Sequence, residues 1–495
     1  MNRPRVVVIG AGAGGLSAAA HLAAGGFRVT VVEKNERAGG RCGRLVREGH
    51  HFDVGPTLLV MPGLYAQEFA ALGERVEDAL EMRRVDPTYH LRFDDGSGLD
   101  LTSNLEQMRA QLEAIEKGSF APFLRYIEEG GNHYRLAIEH IIRRNFRSLG
   151  EFLSPANLPV FLRIGAFRNH YRRTGAYFRQ PRLKAVFTFQ DLYMGLSPFE
   201  APSTFSFLQY TELADGVWFP KGGMYRVVES LLGIAERRGV ELRYKTPVDR
   251  IEVNGARATA VRLADGGRLP ADIVLANADL PYVYRELLPT DGTAVRLERK
   301  RYSCSTISFL WGVDRTYDQL PPHTLFLADQ YRENFDAITG DLVLADNPSV
   351  YLHAPARLEP SMAPAGHDSL VGIVPVGHLD GKTGLDWDDL KRRARDALLR
   401  RMATVGITDL DDHLKFEFCF GPSDWQRRFN LVNGSTHGLA HTLMQMGYLR
   451  PHNRHARYGN LYFAGASTHP GTGLPTAIVS GRLAAERILE DHPLN

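Results

Sequence analysis

The chain has 495 residues, 44% of them hydrophobic and 23% charged, with a formal net charge of +2. This length predicts about two or three structural units and the composition excludes a disordered chain. The three cysteines (Cys42, Cys304 and Cys419) are scattered and odd in number, which argues against a disulfide framework or a structural zinc site and favours a reducing compartment.

The N-terminal segment predicts a βαβ unit that binds a dinucleotide. Residues 5–9 and 28–33 are short β-branched runs typical of buried parallel strands, and residues 14–25 predict a helix of small residues. The turn that begins at Gly10 has the spacing G-x-G-x-x-G, in which the glycines allow a tight turn, close approach to a pyrophosphate and close helix packing. Glu33 is placed to bind the adenosine ribose. These glycines also explain the apolar N-terminus better than a signal peptide does.

Two further segments favour FAD over NAD as this dinucleotide. Residues 39–41 (GGR) follow the second strand, so backbone can approach the cofactor and an arginine can reach a phosphate. Near the C-terminus, a strand over 460–464 ends at Gly465, and a loop leads through Gly473 into a helix that ends near Leu489. The positive end of that helix would face the flavin ring, where reduction adds negative charge.

The middle of the chain predicts a mixture of helices and strands. In chain order these are a helical region over 104–190, a Pro/Gly breaker at 216–223, a helix over 224–238, strands at 240–245, 248–253, 257–263 and 271–277, alternating strands and loops over 302–420, and a helix over 386–405. We therefore expect an α/β protein with a Rossmann-type FAD-binding domain (1–75, 215–290 and 440–495), a mixed β-sheet substrate domain (291–439) and a helical, membrane-facing insertion (76–214).

Positive charge is concentrated between Arg143 and Lys184, where ten Arg and Lys residues accompany one acid, Glu151. Apolar residues interleave with these charges over 158–178, as in a basic amphipathic helix that lies on an anionic membrane. The chain contains no run of 18 or more apolar residues that could span a bilayer. We expect a cytoplasmic protein in peripheral contact with membrane lipid and not with nucleic acid. A solvated helix face is the alternative interpretation.

Five motifs occur in the order GAGAGGLSAAAHLAAGG (10–26), ERAGGRCGR (36–44), FDVGPTLL (52–59), FPKGGM (219–224) and NLYFAGASTHPGTGLPTAIVSGRLAAE (460–486). Over essentially the whole chain, this order resembles the bacterial-type phytoene desaturases and other carotenoid desaturases, which are FAD-dependent members of the amine-oxidase-like superfamily. The resemblance implies an apolar polyisoprenoid substrate, with phytoene expected first. It also implies hydride transfer to the flavin and loss of a proton from the adjacent carbon.

Several other activities remain open. The protein could be a desaturase or oxygenase of another carotenoid, either dehydrosqualene-type or hydroxylated, or a redox-neutral carotenoid isomerase. An amine oxidase of the same fold and a lipid-escort protein without a flavin are further alternatives. The oligomeric state is not predicted.

The expected flavin-binding residues combine those argued above with others that the resemblance implies. They are Gly10, Gly12, Gly14, Gly15, Glu33, Lys34, Gly39, Gly40, Arg41, Gly55, Pro56, Thr57, Val248, Gly465, Gly473, Leu474 and Pro475. Asp53 is expected to organise backbone near the cofactor, and no metal site is expected.

A catalytic base is not identified, and its candidates are His469, Asp191, Glu200 and Glu212. The reason for considering acids is that an unpaired carboxylate in an apolar channel has a raised pKa, which suits a proton acceptor. Nine aromatic residues between Phe187 and Phe219 are expected to contribute to the wall of such a channel.

Overall fold

The computed structural model describes residues 3–380 and 386–494. Over these residues the strands, in chain order, are β1 (Arg5–Ile9), β2 (Arg28–Val32), β3 (Arg44–Arg47), β4 (His50–Asp53), β5 (Met82–Val85), β6 (Tyr89–Phe93), β7 (Gly98–Leu101), β8 (Val217–Pro220), β9 (Glu241–Arg243), β10 (Val248–Asn254), β11 (Arg257–Leu263), β12 (Arg268–Pro270), β13 (Ile273–Ala276), β14 (Ser305–Val313), β15 (His323–Leu327), β16 (Val350–His353), β17 (Asp368–Val376), β18 (Leu414–Phe420) and β19 (Leu461–Phe463).

The α-helices over the same residues are α1 (Ala13–Ala24), α2 (Pro62–Ala71), α3 (Val76–Ala79), α4 (Leu105–Ile115), α5 (Phe120–Ala137), α6 (Leu149–Phe152), α7 (Leu158–Arg163), α8 (His170–Thr174), α9 (Pro181–Val186), α10 (Phe207–Tyr210), α11 (Arg226–Arg237), α12 (Leu280–Tyr282), α13 (Gly292–Glu298), α14 (Tyr331–Asp336), α15 (Trp387–Ala403), α16 (Pro422–Phe429) and α17 (Leu474–Asp491). Among the described residues, none of the helices combines the length and the apolar composition that crossing a bilayer requires.

A five-stranded parallel sheet forms the first layer, in the order β19-β13-β1-β2-β9. Its strands come from both ends and the middle of the chain, so the N-terminal βαβ unit is completed by distant segments. Val6, Val8 and Val31 are fully buried on the face covered by α1, α11 and α17, whereas the other face of the sheet packs against β10 and β11. The predicted strands at 5–9 and 28–33 and the helix at 14–25 are confirmed to within one residue at each end.

A seven-stranded mixed sheet forms the second large layer, in the order β18-β14-β17-β16-β15-β6-β7. Its pairs are antiparallel except that β15 and β6 run parallel. The sequence predicts a helical insertion over 76–214, but residues 82–101 form β5, β6 and β7, two of which extend this sheet. The reason is an alternation in which Tyr89, Leu91 and Phe93 are buried, with period 2 as in a strand.

Residues 149–186 form four short helices, α6 to α9, rather than the extended basic amphipathic helix expected over 158–178. Proline at the start of α7 and of α9, and glycines at 165 and 175, divide this segment. Six buried residues in and just before this segment form a small core of their own: Phe146, Phe152, Val160, Phe161, Ile164 and Ala166. Phe178, Leu183 and Val186 of the same segment pack instead in the core that contains Tyr89 and Leu91 of β6.

Candidate active site

One elongated cavity of about 780 Å³ runs through the protein. One end is lined by the turn between β1 and α1, and the other by side chains of the short helices α6 and α7. Leu153, Phe167, Met444 and Leu449 line this second end and are also exposed, so the cavity opens there. The volume lies within the range of about 300–1,000 Å³ that is common for small-molecule sites.

The dinucleotide end is formed by glycines whose lack of a side chain is required. A Cβ atom on Gly15 would lie 2.1 Å from the carbonyl oxygen of Gly10, so only glycine allows α1 to approach β1 this closely. Gly12 and Gly14 line the cavity at the start of α1, where the positive end of the helix faces the space. This arrangement suits a pyrophosphate.

Glu33 and Lys34 lie at the end of β2 and line the same end of the cavity. The Glu33 carboxylate accepts hydrogen bonds from the backbone N–H of Ala11 at 2.9 Å and of Asn35 at 2.8 Å. Lys34 is held by the backbone oxygen of Arg427 at 2.9 Å and by the side chain of Asn430 at 2.6 Å. Glu33 therefore stabilises the glycine turn through these hydrogen bonds, next to the part of the cavity that could hold a ribose.

Asp53 joins two of the sequence motifs, FDVGPTLL and FPKGGM, behind the cavity wall. Its buried carboxylate accepts hydrogen bonds from the backbone N–H groups of Met224 at 2.7 Å and Tyr225 at 2.9 Å. Burial raises the pKa of Asp53 to about 6, although these two donors oppose the shift. The expected role as an organiser of backbone agrees with these bonds, and Asp53 does not line the cavity.

Arg41 lines the cavity and donates a hydrogen bond from Nη1 to the backbone oxygen of Thr436 at 2.7 Å. Desolvation of this buried guanidinium lowers the pKa of Arg41, while Asp279 opposes the shift. Asp279 also lines the cavity and accepts a hydrogen bond from the Ser467 hydroxyl at 2.6 Å. The Arg41 cation and the buried Asp279 anion thus face the site from two distant segments of the chain.

The C-terminal loop closes the site at the start of α17. Gly473 has a φ of +116°, which L-residues rarely adopt, and it turns the chain so that residues 473–477 line the cavity. Arg450 is buried beneath this loop and donates to the backbone oxygens of Ala466 and Thr468, among others. Desolvation lowers the pKa of Arg450 to about 9. Sequence reasoning did not identify this arginine, because its partners are backbone carbonyls.

The expected flavin-binding residues come together in the structure. All of them except Gly15 line the cavity, and Gly15 packs α1 against β1. His441 was not predicted: it lines the same space, and its Nε2 accepts a hydrogen bond from the Thr472 backbone N–H at 3.1 Å. The cradle, with helix N-termini at both α1 and α17, fits a dinucleotide with anionic groups at two points.

None of the four candidate bases lines the cavity, and three of them have partners that explain their positions. His469 is buried, its Nε2 lies 3.0 Å from the Arg144 backbone oxygen, and desolvation lowers its pKa to about 4. Asp191 is paired with His170 Nδ1 at 2.8 Å. Glu200 is exposed and pairs with Arg301 at 2.8 Å. These contacts account for all three residues structurally.

Glu212 differs from those three residues. It is buried directly behind two cavity-lining tyrosines and accepts a hydrogen bond from the Tyr193 hydroxyl at 2.7 Å. Desolvation raises the pKa of Glu212 to about 7, and hydrogen bonds from Tyr193 and Gln190 oppose the shift. A carboxyl group with this pKa can exchange a proton at neutral pH.

The remainder of the cavity wall is mainly apolar. Phe161, Ile164, Phe189, Phe205, Phe207 and Leu208 line it. Of the nine aromatic residues expected to form a channel, Phe189, Tyr193, Phe205 and Phe207 line the cavity. Phe187, Phe199, Tyr210, Trp218 and Phe219 do not, so only part of that aromatic cluster faces the space.

Comparison with known proteins identifies the family. The model of the flavin-containing amine oxidoreductases matches residues 13–489. A phytoene desaturase from Fusarium fujikuroi is 42% identical, covering 98% of this chain and 89% of its own length. A zeta-carotene-forming phytoene desaturase from Myxococcus xanthus is also 42% identical, covering 98% of this chain and 94% of its own.

Solved structures share the fold at low sequence identity. A redesigned putrescine oxidase superposes with a TM-score of 0.66 at 15% identity and covers 99% of both chains. Together with the glycine cradle and the helix N-termini of the cavity, these matches show that the chain belongs to the flavin-containing amine oxidoreductase family, as a relative of its phytoene desaturases, and that its cofactor is FAD.

Proposed function

We propose that this protein desaturates an acyclic carotenoid precursor, with phytoene as the first expected substrate. The observation that carries the proposal is a continuous cavity that joins the dinucleotide cradle to an apolar passage opening among exposed apolar side chains. An apolar polyene offers no charge for recognition, so its binding depends on the apolar area that it buries. The relatives named phytoene desaturase support this choice of substrate.

The cofactor would lie along the residues that line the cradle. Gly12 and Gly14 at the start of α1 would hold the pyrophosphate, and Glu33 would face the adenosine ribose. The start of α17 at Leu474 would face the flavin ring. FAD supplies the hydride acceptor of the reaction when it is bound. The protein's part is to orient the substrate, exclude water and accept the proton that leaves the adjacent carbon.

We also propose that the cavity mouth docks on a membrane, where the substrate is dissolved. Among the described residues, seven of the twelve large exposed apolar side chains lie in two segments of this region: Leu149, Leu153, Leu158, Leu162, Phe167, Met444 and Leu449. An apolar surface of this kind is typical of a lipid or protein contact.

The arginines of the basic segment favour docking on an anionic membrane, although fewer of them lack a carboxylate partner than the sequence predicts. Arg143, Arg144, Arg147, Arg173, Arg179 and Arg182 form ion pairs with carboxylates. Within the part of the chain that the structure describes, Arg163, Arg168 and Arg172 have no such partner, and two of them follow Leu162 and Phe167 directly. These three arginines are available to phospholipid headgroups.

Pigment analysis tests the proposed activity. The protein is expressed in one bacterial strain that supplies phytoene and in another that supplies dehydrosqualene, and the carotenoids are separated by chromatography. We expect products with more conjugated double bonds from the phytoene strain. Products only from the dehydrosqualene strain would change the substrate to the shorter chain. Products that differ from phytoene only in bond geometry would indicate an isomerase.

A further inference from the structure

A hydrogen-bonded chain connects the cavity wall to a buried carboxylate. Glu212 is 2% exposed, and its two oxygens accept hydrogen bonds from Tyr193 Oη at 2.7 Å and Gln190 Nε2 at 2.9 Å. The Tyr193 hydroxyl is also hydrogen-bonded to the Tyr89 hydroxyl. Across residues 3–380 and 386–494, Glu212 forms no ion pair with a cation. Both groups that donate hydrogen bonds to the Glu212 carboxylate are therefore neutral.

The partners determine the direction of each hydrogen bond. Gln209 Nε2 donates to Gln190 Oε1 at 2.8 Å, so Gln190 presents its amide hydrogens to Glu212. Tyr193 has one hydroxyl hydrogen and donates it to Glu212, so its oxygen accepts the hydrogen of Tyr89. Every hydroxyl hydrogen of the chain consequently points toward Glu212, and the Tyr89 oxygen is left as an acceptor at the cavity end.

The position of the two tyrosines relates this chain to the substrate space. Tyr89 and Tyr193 line the cavity, whereas Glu212 does not. Phe189 packs edge-on against Tyr89 at 5.5 Å, and Leu192 and Leu325 line the same space. An apolar polyene at this position would lie against a mainly apolar wall in which the hydroxyl oxygens of Tyr89 and Tyr193 are polar atoms. Direct contact with the buried carboxylate is not required.

We propose that Tyr89, Tyr193 and Glu212 form a relay that accepts the proton lost from the substrate carbon at each desaturation. The inference rests on the proposed function, because it assigns the proton of that reaction. As the C–H bond breaks, its proton passes to the Tyr89 oxygen, the Tyr89 proton to Tyr193 and the Tyr193 proton to Glu212. The electron pair of that bond becomes the new C=C bond, while the hydrogen on the adjacent carbon leaves as hydride to oxidised FAD.

After product release, Glu212 returns its proton to water through the same hydroxyls, which restores the starting state. Tyr89 is the group that contacts the substrate, and Tyr193 and Glu212 act through it as positioning residues. A carboxylate that accepts two hydrogen bonds is ready to receive the proton.

Other titratable groups lie around this relay. Tyr351 on β16 and His323 on β15 lie 6.2 Å and 6.0 Å from the Tyr89 ring, measured between ring centroids. Desolvation places the pKa of His323 well below its usual range and raises that of Tyr351, so both stay neutral near pH 7. Asp191 occupies the same 3-10 turn as Gln190 and Tyr193, and it is paired with His170. Asp191 therefore offers a matched control.

The test measures anaerobic reduction of the bound flavin by phytoene in phospholipid vesicles, across pH 5 to 9, with FAD content determined for each variant. We expect the wild-type rate to rise with pH and to level off above about 7. Glu212→Gln and Tyr193→Phe should reduce flavin about 10²-fold more slowly and without that pH dependence. Asp191→Asn replaces a buried carboxylate outside the relay and should keep the wild-type pH profile.

A second readout needs neither substrate nor flavin reduction. Infrared difference spectra of the holoprotein should show a protonated carboxyl band that disappears as pH rises through about 7. The component that disappears near pH 7 should be absent from Glu212→Gln and retained in Tyr193→Phe and Asp191→Asn, whereas the Asp53 carboxyl, with a pKa of about 6, should contribute equally in all variants. Tyr193→Phe keeps the kinetic test available if Glu212→Gln does not fold.

Wild-type pH profiles in both relay variants, in a protein that converts phytoene, would overturn the inference. The inference would also be overturned if the relay variants and Asp191→Asn lost the same fraction of the flavin-reduction rate and kept the wild-type pH profile. That result would show that Glu212 and Tyr193 have only a structural role. Failure of the wild type to convert phytoene would instead contradict the proposed substrate.

Discussion

Buried carboxylates in this protein have different partners, and the partners decide what each residue can do. Asp191 faces His170 at 2.8 Å, and Asp53 accepts two backbone N–H donors. Glu212 accepts hydrogen bonds from a phenol and an amide. Burial raises the pKa of all three carboxyls, and that of Glu212, whose two donors are neutral, rises to about 7.

The raised pKa of Glu212 predicts a pH-dependent term in stability. The folded protein binds this proton more tightly than the unfolded chain, so its stabilising contribution is complete below about pH 4.5 and decreases as pH rises to about 7. The size of the term is about 3 kcal/mol. Urea unfolding of the wild type and of Glu212→Gln between pH 5 and 8 should show that their difference in unfolding free energy changes in this direction. A difference independent of pH would contradict the assignment.

At the residue scale, sequence spacing predicts the cofactor cradle better than the proton chain. Gly10, Gly15 and Glu33 lie within one βαβ unit, so local spacing is sufficient to identify them. Glu212 was predicted as one of four candidate bases, but Tyr89, which reaches it through Tyr193, comes from β6, more than a hundred residues away. Tertiary packing brings these groups together, so the spacing of residues in the sequence cannot predict their contact.

At the scale of elements, the contact between α1 and α17 joins the two halves of the cofactor cradle. A Cβ atom on Gly481 in α17 would lie 2.2 Å from the Gly14 carbonyl oxygen in α1. The helices therefore pack backbone to backbone at this point. Their N-termini both line the cavity, so their separation sets the spacing of the two anion-binding points.

Gly481→Ala should separate these helices and affect both stability and cofactor binding. We expect a loss of about 1–3 kcal/mol in the free energy of unfolding, because the added methyl group overlaps backbone, together with weaker retention of FAD. Gly233→Ala in α11 is the matched control, because a Cβ atom there meets only the flexible Arg237 guanidinium, at 3.3 Å. It should gain up to about 1 kcal/mol from helix propensity. Urea unfolding and flavin absorbance after gel filtration measure both effects, and equal behaviour of the two variants would contradict the packing argument.

The elements that sequence reasoning predicted well have strong local patterns. The helices α11 and α15 lie within the predicted ranges 224–238 and 386–405, and α17 follows its glycine turn. The strands β5 to β7 were missed, because charged and polar residues occupy their exposed positions and each strand is only four or five residues long. Their pairing with β8 and β15 is long-range, which no local window detects.

At the scale of the whole molecule, the cavity connects a cofactor cradle to a surface of exposed apolar side chains, which we propose to be the membrane contact. The sequence predicts a strongly basic segment between Arg143 and Lys184, but six of the ten cations in that segment form ion pairs with carboxylates in the fold. The apolar side chains beside the remaining arginines carry more of the expected membrane affinity, since each buried large side chain contributes about 1.5–3 kcal/mol.

Phe167→Glu should weaken binding to anionic vesicles by about tenfold or more, because it removes one large apolar contact and adds a negative charge. Phe167 is 63% exposed at the cavity mouth. Val295→Glu on α13 is the control, since Val295 is 43% exposed but does not line the cavity. Vesicle flotation measures the bound fraction. Equal losses in the two variants would indicate a nonspecific effect of charge and contradict docking at the mouth.

The central claim is that one cavity brings a carotenoid precursor to FAD for removal of hydrogen. Its most direct test is to mix the purified, FAD-loaded protein anaerobically with vesicles that contain phytoene and to follow the flavin spectrum and the extracted carotenoids together. The account predicts bleaching of the oxidised flavin and a matching amount of product with additional conjugated double bonds. Full FAD occupancy with neither bleaching nor any new polyene, while the protein remains bound to the vesicles, would contradict it.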